Sequence, residues 1–335
     1  MDIKLSVAIP TYNGAQTIRE TLDSIVSQLE EGVEIVISDN ASTDGTAEII
    51  LEYQAMYPVI RYFRNDENLG ADRNFDLAVR RARGEYVWLF SDDDKLADGG
   101  IRKVLNVFSA NSDLAVIFVN YAIYSIDLKE CLKERVLEMW NDVYCENADR
   151  FLAAVKIAPI FVSSNIIRRA LWEHANAKRY IETNWIHYGT MLSLLPGHPS
   201  YCVSSPFVML RTGALRWKRN GSLLLNGCEL IKIVRDCQKL GYNKHSTKVT
   251  INFMLNNLPM TILSSKIEGL SVNRNLINNL VKNYGQYPSF WIRDFALLLL
   301  PSIFYKITWK FYQLPYIKKI YKKSKFWIQH RKTRN

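Results

Sequence analysis

Cysteine is scarce in this chain of 335 residues, and no two cysteines form a CxxC pair. Disulfide scaffolds and zinc knuckles both require closely spaced cysteines, so we exclude both. The five scattered cysteines suit a reducing compartment instead. The first ten residues also lack the basic, apolar and small-residue regions of a secretory signal, and we therefore predict a cytoplasmic protein.

Long hydrophobic runs are missing as well. The strongest candidate, Phe295–Tyr305, has only about half of the ~20 apolar residues that span a bilayer, and Pro301 interrupts it. We therefore predict no transmembrane helix. The chain is nevertheless 48% hydrophobic, which excludes global disorder and allows one large domain or two.

Acidic residues are absent from Pro301–Asn335, which contains ten lysines and arginines. This tail accounts for the whole net charge of +10, so residues 1–300 are balanced. Apolar side chains recur among its lysines at helical spacing, and they are Tyr305, Trp309, Tyr312, Tyr316 and Ile320. Such a segment suits an anionic membrane surface, and we predict peripheral attachment to the cytoplasmic face of the inner membrane.

The tail has an alternative interpretation. It could begin as a helix packed on the core and end as a solvated basic segment, and Pro315 would kink or break a helix in either case. No nucleic-acid-binding module is recognisable around the basic cluster, so we predict no nucleic-acid partner.

Two common nucleotide-binding motifs are also absent. A dehydrogenase would carry GxGxxG after its first strand, and Pro10–Gly14 does not match it. A P-loop enzyme would carry GxxxxGK followed by Ser or Thr, which the chain lacks. A nucleotidyltransferase stays open, because it too uses acidic residues at strand ends with a metal. Release of pyrophosphate would distinguish it.

Strands and helices alternate through the first 120 residues. The predicted strands are Ile3–Ile9, Val33–Ser38, Val59–Phe63, Tyr86–Phe90 and Leu114–Val119. The predicted helices begin at an Asn13–Gln16 capping box, after Ser42 as a cap, at Ala71 (ending before Gly84) and near Ile101. This order predicts an α/β fold with a mostly parallel sheet flanked by helices. The loops that follow the strands should then lie along one edge.

Beyond Asn120 the alternation is weaker. We predict strands at Ile160–Ile167 and Tyr201–Leu210 and a helix at Trp185–Leu195. From Gly221 onward the pattern is mainly helical.

Four polar loops follow the early strands: Pro10–Gly14, Ser38–Thr46, Asn65–Asn74 and Ser91–Asp94. The three consecutive carboxylates of the fourth loop would repel one another unless a cation neutralised them. Mn²⁺ or Mg²⁺ takes one or two such carboxylates together with phosphate oxygens and water. A solvated acidic turn or a helix-capping cluster is the alternative.

The other loops offer side chains suited to a nucleotide. The Asp39 carboxylate can accept hydrogen bonds from a base and a ribose, Tyr12 can stack on a base, and Arg73 can bind a phosphate. Each has a structural alternative. Asp39 lies in a loop whose polar residues could simply cap the next helix, Tyr12 could be a core or turn residue, and Arg73 could form a surface ion pair.

Residues 5–100 resemble the nucleotide-sugar-binding half of the family 2 glycosyltransferases, which are inverting enzymes with a GT-A fold. The stretches that carry the resemblance are Ser6–Asn13, Ser38–Thr46, Asn68–Gly70 with Arg73 and Asn74, and Ala82–Tyr86 leading to Ser91–Asp94. Two departures are Ser38 and Ser91, where the family often has an acidic residue, and they leave the base preference open. The amino-acid sequences of Ser38–Ser42 and Ser91–Asp94 also resemble those of abequosyltransferase-type enzymes of bacterial O-antigen assembly.

The resemblance implies a metal-dependent, inverting transfer of a sugar from a nucleoside-diphosphate sugar to a hydroxyl of a glycan or lipid-linked acceptor. It implies a GT-A domain at 1–215, in which 1–120 bind the nucleotide sugar and 121–215 form the acceptor side. A helical region at 216–300 and the tail at 301–335 would follow. The expected nucleotide-sugar-binding residues are Pro10, Tyr12, Asn13, Asp39, Asn68, Gly70, Arg73, Asp92 and Asp93. Asp92 and Asp94 would form the DxD metal site.

The catalytic base is less clear. The family usually supplies an Asp from a Glu-Asp pair at the start of a helix beyond the DxD, and Tyr180–Tyr188 contains no such pair. Glu182 and His187 are the candidates. Their alternatives are a capping carboxylate and a packed helix histidine. Without a working base, the chain would be a non-catalytic sugar-nucleotide-binding subunit of a polysaccharide assembly complex.

Overall fold

The computed structural model describes residues 2–212, 222–267, 269–301 and 304. Contacts divide the chain into two compact units, one built from Met1–Arg216 and Glu229–Met254 and the other from the rest. The predicted membrane-associating segment beyond 304 lies outside the described residues, as does the position 215 at which we placed a domain boundary.

One sheet of ten strands forms the centre of the first unit. The strands are β1 Leu5–Thr11, β2 Val33–Asp39, β3 Ile60–Arg64, β4 Tyr86–Leu89, β5 Lys95–Leu96, β6 Val116–Tyr124, β7 Cys131–Lys133, β8 Val143–Cys145, β9 Asn165–Arg168 and β10 Ser200–Arg211. β1 and β2 are buried along their whole length, which matches their runs of valine and isoleucine.

Helices flank this sheet and continue into the C-terminal region. They are α1 Ile18–Val26, α2 Thr46–Met56, α3 Ala71–Arg81, α4 Gly100–Ala110, α5 Ala148–Val155, α6 Arg169–His174, α7 Ile186–Leu194, α8 Ser222–Asp236, α9 Lys244–Ile267, α10 Arg274–Tyr284 and α11 Phe295–Leu299. A π-helical turn, Phe290–Asp294, precedes α11. Among these described helices, none is long and apolar enough to cross a membrane.

The strand order is β3-β2-β1-β4-β9-β6-β10-β5. The pairs β2–β3, β1–β2, β1–β4 and β6–β10 are parallel, whereas β9 runs antiparallel between β4 and β6. The predicted α/β fold with a mostly parallel sheet and a helical C-terminal region is therefore confirmed. The carboxyl ends of β1, β2, β3 and β4 meet at one edge, as parallel strands require.

The predicted strand at Ile160–Ile167 is wrong for most of its length. Short 3₁₀ turns occupy Ala158–Ile160 and Val162–Ser164, and only three residues of the predicted range, 165–167, belong to a strand, β9. The Asn165 side-chain amide donates to the carbonyls of Pro159 and Phe161, at 2.7 and 2.9 Å. Such side-chain bonds to the backbone compete with strand pairing.

The predicted helix caps are also wrong. α1 begins at Ile18 after Thr17, and α2 begins at Thr46 after Gly45, in both cases without a side-chain cap. The Asn13 side chain instead accepts from the Thr43 amide at 2.8 Å, and Ser42 Oγ accepts from the Asn13 amide at 2.9 Å. The two residues therefore join neighbouring loops.

The close approach of the turn before β4 to β1 generates a stability prediction. A Cβ atom on Gly84 would lie 2.7 Å from the Ser6 nitrogen and 2.9 Å from the Leu5 carbonyl carbon, which are backbone atoms that cannot rotate away. We expect Gly84→Ala to lower the free energy of unfolding by about 1–3 kcal/mol, because overpacking forces the backbone to shift.

Gly45→Ala is the matched control for a urea unfolding experiment. Its new Cβ would meet only the Ala15 Cβ, at 3.9 Å. Equal midpoints for the two variants would contradict the packing account.

Candidate functional site

The four polar loops converge at the edge where β1–β4 end. The first loop follows β1, the second β2, the third β3 and the fourth β4. The predicted shared edge is confirmed by the parallel pairing of these strands. Hydrogen bonds between loops then fix their relative positions.

The first and second loops are joined by backbone donors of one and side chains of the other. The Gly14 amide donates to Thr46 Oγ1 at 2.8 Å, and the Ala15 amide donates to Asp44 Oδ2 at 3.1 Å. Together with the Asn13 contacts, they fix the turn that carries Tyr12. The Tyr12 side chain is 41% exposed at this edge, which leaves an aromatic surface that a base could stack on.

The second and third loops are joined through Asn40. Its Nδ2 donates to Asn68 Oδ1 at 2.8 Å, and its Oδ1 accepts from the Leu69 amide and from Asn65 Nδ2, both at 3.0 Å. Asn40 Nδ2 also lies 3.3 Å from the Gly70 carbonyl oxygen. Asn68 and Gly70 are thereby held beside the second loop, while Arg73 is exposed on the first turn of α3.

Asp39 is completely buried at the end of β2. Its Oδ1 accepts from the Ser42 amide at 2.9 Å and from the Ser42 hydroxyl, and its Oδ2 accepts from Tyr62 Oη at 2.8 Å. Arg64 lies 3.6 Å from Oδ2. A carboxylate offers about four acceptor sites, and three of them are taken by Ser42 and Tyr62. Pro10 is buried in β1. It pairs with Ser38, the residue before Asp39, and therefore lies close to Asp39.

The acidic turn Asp92–Asp94 lies next to the first loop. The Thr11 hydroxyl donates to Asp92 Oδ2, and a Cβ on Gly14 would collide with the same carboxylate. Ser91 Oγ donates to Asp93 Oδ1, and Asp93 itself is half-buried. Glycine at position 14 therefore leaves the space that Asp92 occupies.

Asp94 is the most enclosed of the three acids, at 2% exposure. Its Oδ2 accepts from Ser163 Oγ at 2.6 Å, and its Oδ1 accepts from the Arg211 amide at 3.3 Å. Burial, and next the negative charge of Asp93, raise the pKa of Asp94 well above its ordinary value. A cation at this turn would remove that unfavourable charge.

Two residues that our sequence analysis missed hold the acidic turn. Ser163 Oγ, besides donating to Asp94, accepts from the Ser91 amide at 2.9 Å. Arg211, the last residue of β10, is buried, and it donates to the Asp93 carbonyl at 2.8 Å and pairs with Glu20. Both are distant in sequence from the turn, so no local motif indicates them.

A hard divalent cation fits this turn chemically. Asp92 and Asp94 offer carboxylate oxygens, the ligands that Mn²⁺ and Mg²⁺ prefer. Among the described residues, no group of three or more His, Cys, Asp or Glu side chains is arranged to hold a metal. A site with two protein ligands would be completed by phosphate oxygens and water.

The two base candidates differ in their surroundings. Glu182 is exposed, with φ of +70°, in the segment before α7. His187 is 3% exposed within α7, and its Nε2 lies 2.8 Å from the Ile160 carbonyl oxygen. Burial lowers the pKa of His187 to about 4. The burial of His187 and the contact of its Nε2 with a backbone carbonyl favour the exposed Glu182 of the two candidate bases.

The Glu182 segment lies against the third loop. Asp72, two residues after Gly70, accepts hydrogen bonds from the amides of Asn184 and Ile186 at 2.8 and 3.2 Å. The 3₁₀ turns at 158–164 join the same region to the acidic turn, because Ser163 contacts Asp94 and Ile160 contacts His187. A series of contacts therefore links α7 to the acidic turn.

The sequence matches the family model described as glycosyl transferase family 2, over residues 6–175. It is 31% identical to abequosyltransferase RfbV of Salmonella typhimurium over 251 residues, which are 69% of this chain and 74% of that protein. It is also 32% identical over 123 residues to a putative teichuronic acid biosynthesis glycosyltransferase, TuaG of Bacillus subtilis, covering 37% of this chain and 48% of that one.

Solved structures with a similar fold include the S. aureus protein TarS, residues 1–349, in complex with UDP-GlcNAc. The TM-score is 0.63 with 15% identity, over 85% of this chain and 82% of that one. A mannosyltransferase from Pyrobaculum calidifontis in complex with GDP-Man and Mn²⁺ gives a TM-score of 0.53 with 17% identity, over 89% and 86%. At these identities the likeness establishes the fold.

The buried histidine generates a prediction about pH. A pKa of about 4 in the folded state against 6.5 for the free group means that the unfolded chain binds more protons between these values. His187 should therefore lower the free energy of unfolding by about 3 kcal/mol as the pH falls from 6.5 to below 4. We expect His187→Gln, which keeps a donor for Ile160, to remove most of this dependence. Urea unfolding between pH 4 and 7 would contradict this if wild type and variant gave the same slope.

Proposed function

The chain belongs to glycosyl transferase family 2, and on that premise we propose that it transfers a sugar from a nucleoside-diphosphate sugar to a hydroxyl of a glycan or lipid-linked oligosaccharide acceptor. Proteins similar to it include an abequosyltransferase, a GalNAc(5)-diNAcBac-PP-undecaprenol β-1,3-glucosyltransferase and a poly(ribitol-phosphate) β-glucosyltransferase. We place the reaction in O-antigen or capsule synthesis.

The observation that carries the proposal is the union of two features at one sheet edge. The turn with Tyr12 and the buried Asp39 offer an aromatic face and an acceptor, which suit a nucleoside. The acidic turn lies directly against the same loop through Thr11 and Gly14. A nucleoside site next to a carboxylate cluster suits a nucleoside diphosphate with a bound cation. The similar structures in complex with UDP-GlcNAc and with GDP-Man and Mn²⁺ support this assignment.

In this proposal Asp92 and Asp94 hold Mn²⁺ or Mg²⁺, and Asp94 is a direct ligand. The cation supplies charge neutralisation for the leaving diphosphate. Ser163 and Arg211 keep the acidic turn in place, and Arg73, exposed beside Asn68 and Gly70, binds a phosphate oxygen. Pro10, Asn13 and Asp39 form the nucleoside side, and Asp93 contributes to the nucleotide-sugar site.

Glu182 is the proposed general base. It takes the proton from the acceptor hydroxyl while the acceptor oxygen forms a bond to the anomeric carbon. The bond from that carbon to the diphosphate breaks, and the nucleoside diphosphate leaves. Attack from the face opposite the leaving group inverts the configuration. Exposure of Glu182 beside the third loop supports this role.

The basic tail at 301–335 is proposed to attach the enzyme to the cytoplasmic face of the inner membrane, where a lipid-linked acceptor would be presented. Ten cations and no acids in this segment support attraction to anionic lipids. The competing function is a non-catalytic sugar-nucleotide-binding subunit, which the missing Glu-Asp pair favours. Product formation by the isolated protein separates the two.

The metal assignment predicts the effect of Asp94→Asn. The amide loses the negative charge that a divalent cation needs, so release of nucleoside diphosphate should fall at least about 100-fold. The assay is donor hydrolysis of UDP-, GDP-, CDP- and dTDP-sugars with Mn²⁺ or with EDTA. Asp98→Asn, an exposed acid four residues onward, is the matched control. Full activity of Asp94→Asn in Mn²⁺ would refute the assignment.

The base assignment predicts a different pattern for Glu182→Gln. Transfer to the acceptor should fall about 10²- to 10⁴-fold, because a carboxamide cannot accept the proton. Binding of the nucleoside diphosphate, measured by calorimetry, should stay at the wild-type value. Glu173→Gln, an exposed acid on α6, serves as the control. Unchanged transfer would assign the base to another residue.

A further inference from the structure

Asp72 is a buried carboxylate in the first turn of α3, at 5% exposure. Its partners among the described residues are backbone N–H groups of the segment 182–186. Asn184 donates to Oδ2 at 2.8 Å and Ile186 donates to Oδ1 at 3.2 Å. The carboxylate of one side chain thus accepts two backbone hydrogen bonds from a single short segment.

Two residues of this segment have a positive φ. Glu182 has φ of +70°, a left-handed conformation that is unfavourable for glutamate, and Asn184 has φ of +63°, which asparagine tolerates better. The amides of Asn184 and Ile186 both point to the Asp72 carboxylate. Burial raises the pKa of Asp72 against the opposing effect of the backbone N–H bonds.

The same turn of α3 is fixed to the nucleotide-side loops. Gly70, just before α3, contacts Asn40, and Asn74 Oδ1 accepts from Ser38 Oγ at 2.7 Å. Asn74 Nδ2 also donates to the Ser38 carbonyl at 2.8 Å. The helix turn that carries Asp72 is therefore joined to the second loop on one side and to the segment 182–186 on the other.

We propose that Asp72 is a positioning residue that holds the Glu182 segment in register with the nucleotide-binding loops through backbone hydrogen bonds. This inference rests on the proposed function, because it gives Glu182 a fixed place relative to the leaving group. Asp72 itself touches no reacting atom. Misplacement of a catalytic group by about 1 Å can lower a rate about 100-fold, so the bonds matter for turnover more than for nucleotide affinity.

Amide hydrogen exchange tests the contact without any substrate. Asp72→Asn replaces one carboxylate oxygen by an NH₂ group, which faces the backbone N–H donors and cannot accept from them. The amides of Asn184 and Ile186, which donate to Asp72, should exchange at least about tenfold faster in this variant. Asp76→Asn, one turn further along α3, is the matched control, since Asp76 contacts Trp172 and Arg80 instead. Unchanged exchange in Asp72→Asn would overturn the proposal.

Kinetics then separate positioning from a purely structural role. At saturating nucleotide sugar and acceptor, kcat of Asp72→Asn should fall about 100-fold, while the Kd for nucleoside diphosphate with Mn²⁺ stays within about twofold. Faster exchange with wild-type kcat would also overturn the proposal, because the segment would then be held for stability alone. If Asp72→Asn is not folded by circular dichroism, Asp72→Ser, which retains one acceptor oxygen, replaces it in both experiments.

A different result is expected if the proposed glycosyltransferase function itself is wrong. Wild-type protein would then release no nucleoside diphosphate from any sugar nucleotide tested, whereas the exchange experiment would still decide whether Asp72 holds the segment.

Discussion

Burial of negative charge at the end of β4 is the constraint on which the rest of the site depends. Asp94 is enclosed beside Asp92 and Asp93, so its charge is unfavourable unless other groups compensate for it. The protein supplies hydrogen bonds from Ser163 and from the Arg211 backbone, and Thr11 supplies one to Asp92. These bonds keep the turn in place but add no positive charge to the carboxylates. In the proposed function, a divalent cation would neutralise this charge.

The surrounding loops behave as one network. Asn40 joins the second loop to the third, Thr46 and Asp44 join the second to the first, and Thr11 joins the first to the acidic turn. Every one of these bonds connects the ends of parallel strands, so the sheet order sets which loops meet. Two elements from later in the chain also contact these loops. The 3₁₀ turns at 158–164 reach the acidic turn through Ser163, and the segment before α7 reaches the third loop through Asp72. Buried polar contacts thus connect both elements to the loops at the ends of β1–β4.

Much of the first unit could be predicted from local sequence, because buried parallel strands show continuous runs of Val and Ile and the loops between them are polar. β1, β2, β3 and β4 lie within a few residues of the predicted bounds, and the predicted convergence of their loops is confirmed. The caps at Asn13 and Ser42 were wrong because both side chains bond across loops some 29 residues apart, which no local pattern reveals. Most of the predicted strand at 160–167 forms 3₁₀ turns instead, and the Asn165 side chain donates to backbone carbonyls there. Arg211 and Ser163 went unnoticed, and the enclosure of His187 could not be foreseen, because each depends on tertiary neighbours far away in sequence.

The central claim is that one edge of the sheet binds a nucleoside diphosphate together with a divalent cation. A thermal-shift panel of UDP, GDP, CDP and dTDP, each with Mn²⁺ and with EDTA, tests it most directly, since a ligand that binds only the folded state raises Tm with occupancy. The account predicts that one nucleoside diphosphate raises Tm in Mn²⁺ and loses most of that effect in EDTA. No shift with any of the four at saturating concentration, or an equal shift in EDTA, would contradict it.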